Sequence, residues 1–140
     1  RDIVKEIYGD KLDDNYTLVN ELRYKVFEYC AKNETDLIFT VVYGGKEDES
    51  IFKEYISKIN EYGFEISFVE LTASSDDLIN RVENESRKKY KKLTDQHVMK
   101  NLVSDLSVFS IPFVDSLKVN TSELTADESA QYIAKQLGLL

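Results

Sequence analysis

Tryptophan is absent from this 140-residue chain, and cysteine, methionine, histidine and proline occur once each. The single cysteine, Cys30, cannot form an internal disulfide, so nothing in the chain calls for an oxidising compartment. The single histidine, His97, excludes a centre built on several imidazoles. One proline and five glycines in 140 residues exclude collagen-like or low-complexity chain. The longest apolar run lies within "LIFTVVY", well short of the ~20 residues that a membrane helix needs. The opening "RDIVKEIYGD" has no apolar segment of the signal-peptide kind. Positive charge is also scarce: 18 Lys and Arg stand against 26 Asp and Glu, for a net charge of -8. A broad basic face for nucleic acid is therefore not expected. No serine sits in a Gly-x-Ser-x-Gly elbow. The expectation is one soluble cytoplasmic domain, with no nucleic-acid and no membrane partner.

What is present is regular periodicity. "NYTLVNELRYKVFEYCAKN" carries Leu18, Val19, Leu22, Val26, Phe27 and Cys30 at helical spacing, which makes Cys30 a core residue. "DLIFTVVY" is β-branched and apolar without alternation, the pattern of a strand buried on both faces. "KEDESIFKEYISKINEYG" is an amphipathic helix stopped by Gly63. "FEISFVEL" predicts a second strand. "SSDDLINRVENESRKKY" starts a helix, with Ser74 and Asp77 spaced as a capping box. "TDQHVMKNLVSDLS" predicts another helix, with His97 at its surface. "SLKVNTS" predicts a short strand. "TADESAQYIAKQLG" predicts a final helix capped by Thr125 and Glu128 and ended by Gly138. Strands alternating with helices imply an α/β fold with a parallel sheet between helical layers. Ligands of such sheets bind beyond the carboxyl ends of the strands. The residues predicted there, "YGGKEDE", "ELTASSDD" and "NTSELTADE", are small and polar.

One segment departs from this pattern. Residues 81–92, "RVENESRKKYKK", hold six cations and two carboxylates, or +4, so the other residues carry -8 - 4 = -12. The apolar stripe of Leu78, Ile79 and Val82 stops as this segment begins. A solvated helix face would account for it, with Glu83–Arg87 or Glu85–Lys89 pairs. Tyr90 among the cations would suit a nucleic-acid patch, but the surrounding negative charge opposes that reading. A third reading uses position: the run follows a helix that itself follows a strand end. An arginine-bearing excursion there can fold over a polyphosphate, since guanidinium forks match phosphate oxygens.

The stretches "LTASSDDLINRVENESRKKYKKLTD" and "IPFVDSLKVNTSELTADESAQYIAKQLG", with the strand–helix alternation, resemble the small P-loop kinases. The nearest likeness is to the shikimate kinase-like P-loop NTPases of the nucleoside monophosphate kinase type. The resemblance implies a three-layer α/β domain over residues 1–140 with a lid at about 83–94. It also implies ATP and magnesium as cofactors. It assigns Arg81 to the adenine and Arg87 to the transferring phosphoryl group, with Lys88 as a helper. Asn120, Thr121 and Ser122 would form the far wall of the nucleotide site. Arg23, in "NELRY", would stand near the phosphoryl acceptor; a surface ion pair with Glu28 or Asp36 is the competing reading.

The Gly-x-x-x-x-Gly-Lys-[Ser/Thr] loop that defines those kinases is absent from the 140 residues. "YGGKEDE" lacks the first spaced glycine and the hydroxyl. A sheet without the P-loop strand would carry unpaired backbone groups. Two expectations follow: an upstream segment carries that strand and loop, or the edge pairs with another chain in a homo-oligomer. The expected function is an ATP-dependent phosphotransferase acting on a small hydroxyl-bearing molecule. The alternative is a non-catalytic nucleotide-binding or interaction module of the same fold.

Overall fold

The computed structural model describes residues 17–89, 92–105 and 110–140. Among them it holds six α-helices and a two-stranded parallel sheet, a mixed α/β arrangement. The elements are α1 (Thr17–Lys32), α2 (Glu49–Glu61), β1 (Phe68–Thr72), α3 (Ser75–Arg81), α4 (Glu85–Lys89), α5 (Gln96–Asp105), β2 (Ser116–Asn120) and α6 (Ala126–Gln136). A short 3-10 turn, Lys46–Asp48, leads into α2. The chain forms two compact units. In the described residues one comprises residues 17–42 with Asp48–Ile66, and the other Tyr43–Glu47 with residues 67–140.

The first unit is held by aromatic rings. The stripe on α1 buries Val19, Phe27 and Cys30, while α2 buries Phe52 and Tyr55. Phe27 and Phe39 meet edge to face at 5.1 Å, and Phe39 meets Tyr55 in the same way at 5.8 Å. Tyr24 and Phe52 also stand against Tyr55, at 5.8 and 5.9 Å. Edge-to-face pairs add to what area burial alone supplies, by about 0.5–1.5 kcal/mol each. Leu22 and Val26, from the same predicted stripe, are instead exposed at 42% and 48%. One partner helix covers only part of α1's apolar face.

The predicted buried strand in "DLIFTVVY" is not present. Residues 35–44 form no strand, and Ile38 and Val42 are 93% and 87% exposed. Leu37, Phe39 and Val41 are covered further, at 39%, 36% and 41%. The pattern has the period of two of an extended chain with one side against its unit. A strand buried on both faces needs a neighbour on each edge, and the described residues supply neither. The expected parallel sheet flanked by helices in three layers is accordingly reduced here to two strands.

In the second unit β1 and β2 pair in register from Phe68↔Ser116 to Thr72↔Asn120. "FEISFVEL" was predicted as strand throughout, but only its second half has a partner of matching length. Val119 on β2 is 2% exposed and Val82, just past α3, is fully buried. Helix α3 packs on α5, and α6 packs on β2. The predicted long helix from Ser75 breaks at residues 82–84, where the apolar stripe ends. Both predicted N-caps form, but only that at Thr125 is a full capping box, since the Ser74 N–H donates to Ser122 and not back to Asp77. The Ser74 hydroxyl accepts from the Asp77 N–H, and Thr125 with Glu128 makes a reciprocal capping box. Gly63 and Gly138 end α2 and α6 at φ of +81° and +68°, where a side chain would be strained. His97 is exposed and Cys30 is buried, as their positions predicted.

Two tests follow from this packing. Phe27→Ala should cost about 3–5 kcal/mol in urea unfolding, because the ring is 1% exposed and packs against those of Tyr24, Phe39 and Tyr55. On the α1 surface, hydrogen bonds from Lys25 and then Lys32 hold the Glu28 carboxyl at about 2, below its ordinary 4.5. A depressed folded-state pKa gives stability that is present above 4.5 and lost as pH falls toward about 2. Glu28→Gln should flatten the acid limb of the urea midpoint against pH, and an unchanged limb would refute this assignment.

Candidate functional site

Two arginines predicted from the sequence sit in defined surroundings, one in each unit. In the second unit the site forms at the carboxyl ends of β1 and β2. The ladder ends at Thr72↔Asn120, and the loops that follow are tied together. The Thr121 N–H and hydroxyl both donate to the Thr72 carbonyl at 2.8 Å. The Ser74 N–H donates to the Ser122 hydroxyl at 2.7 Å. Asn120 closes its own turn, accepting from the Ser122 N–H at 3.1 Å and donating to Glu123 at 2.7 Å. These bonds satisfy the polar groups that a parallel ladder leaves open where it stops.

Arg81 enters from the last turn of α3. Its Nη1 donates to the Thr121 hydroxyl at 2.9 Å and its Nη2 to the Thr121 carbonyl at 2.6 Å. The guanidinium is half-buried, and this two-point grip fixes its plane. Both bonds lie on the edge of the group. Asp77, one turn earlier, is held below the usual carboxylate range by hydrogen bonds from Ser122 and then Ser74. Thus Arg81, Asn120, Thr121 and Ser122, all predicted to line a nucleotide site, share one rim. Thr72, Ser74 and Asp77 complete that rim. Of these, Ser74 and Asp77 read from sequence only as a helix cap, because their partner Ser122 lies more than 40 residues away.

Arg87 and Lys88 lie on α4 in the same unit. The Arg87 Nε donates to the Leu93 carbonyl at 2.8 Å, folding the chain of the predicted lid back on itself. Lys88 pairs with Glu85 at 2.9 Å, which raises its pKa. The suggested Glu83–Arg87 and Glu85–Lys89 pairs are not among the ion pairs of the described residues. Tyr90 and Lys91, also in the predicted lid, lie outside those residues. No group of three or more His, Cys, Asp or Glu stands together among the described residues.

Arg23 occupies the other unit. Its Nη1 donates to Asn20 Oδ1 at 3.1 Å and to the Tyr55 hydroxyl at 2.5 Å, and Tyr55 donates in turn to Asn20 Oδ1. The guanidinium carbon stands 5.5 Å from the Phe39 ring centre and 5.6 Å from that of Tyr55. The surface pairing with Glu28 or Asp36 is not found. Glu28 is taken by Lys25 at 2.8 Å and Lys32 at 2.6 Å. Asn20 and Tyr55 gave no functional signal in the sequence, since Tyr55 reads there as one more residue of a helix stripe.

No family model matches the sequence, and no curated protein and no solved structure matches it. No helix among the described residues is long and apolar enough to cross a membrane.

The grip of Arg81 on Thr121 yields a test of its own. Arg81→Ala should destabilise the second unit by about 1.5–3 kcal/mol, as expected for hydrogen bonds from a charged donor. A double-mutant cycle with Thr121→Val should return a coupling energy of about 0.5–3 kcal/mol. A coupling near zero would mean that the contact does not hold the two loops.

Proposed function

We propose that this chain carries the nucleotide rim and lid of an ATP-dependent phosphotransferase that acts on a small hydroxyl-bearing molecule, in a P-loop kinase-like fold. One observation carries the reading. Arg81 and the loop after β2 meet at the carboxyl ends of two parallel strands, where α/β sheets bind ligands. Arg81, already immobilised by Thr121, would stack on the base at little further entropic cost. Asn120, Thr121 and Ser122 would form the opposing wall. Arg87 and Lys88 would close over the phosphates, with Arg87 offsetting the negative charge of the transferring group. For Arg87 this requires a change of partner, since its Nε now serves Leu93. That engagement favours a second reading, a nucleotide-binding module whose lid senses ligand without catalysis. On this reading, the described residues supply the rim and the lid, and not the phosphate cradle or the magnesium ligands. Arg23 would serve the acceptor.

The full natural polypeptide should gain thermal stability from ATP with magnesium, and Arg81→Ala should remove most of that gain. Arg87→Ala should leave the gain intact and lower phosphoryl transfer on the order of 10³-fold. Stabilisation without transfer to any small hydroxyl compound would select the binding module. No stabilisation by nucleotide would end both readings.

A further inference from the structure

We draw no further inference here: the strongest candidate, the apolar side of the extended stretch 37–42 in the first unit, where Ile38 and Val42 are 93% and 87% exposed, carries nothing because nothing in the structure shows what covers it.

Discussion

The grip of Arg81 on Thr121 is the contact on which the functional reading depends. Parallel strands cannot be joined by a short turn, so the loops that leave their adjacent carboxyl ends run apart unless they are tied to one another. The Thr72 carbonyl, the Ser74 N–H, the Thr121 carbonyl and the Ser122 hydroxyl are polar groups at the end of a ladder only five residues long. Tied to one another and to Arg81, they become a defined rim. Without Arg81, that rim would keep the Thr121–Thr72 bonds and the contacts of Ser122 with Ser74 and Asp77, but lose its tie to the last turn of α3.

The two units hold their arginines by different physics. Arg81 is held by oxygens of a loop, through the edge of its guanidinium. Arg23 is held by one nitrogen and by the faces of two rings, which leaves its forked edge open. An arginine used up at its edge can still stack, and one used up at its face can still bind an oxyanion. This difference agrees with the roles proposed for them, the flat base of a nucleotide for Arg81 and the phosphoryl acceptor for Arg23.

Much of this was legible in the sequence where the determinants are local. Helix caps at Ser74 and Thr125 need only residues three apart, and both form. The apolar stripe ends at Val82, and there the one helix expected from the sequence divides into α3 and α4. The strand assignment for residues 36–43 failed because strand structure depends on a neighbour, which composition cannot supply. For the same reason β1 is shorter than its apolar run. The rim residues Asn120, Thr121 and Ser122 were named from a resemblance, and their bonds to Thr72, Ser74 and Arg81 span 40 residues or more. The holders of Arg23 were not legible at all, because Tyr55 is 32 residues away.

The central claim is that the loops after β1 and β2, with Arg81, receive a nucleotide. Hydrogen–deuterium exchange of the full natural polypeptide, with and without ATP and magnesium, examines those backbone segments directly. The account predicts slower exchange at residues 72–77 and 120–123 on adding nucleotide, with little change across α1 and α2. Protection confined to other segments, with the two loops exchanging as before, would contradict it.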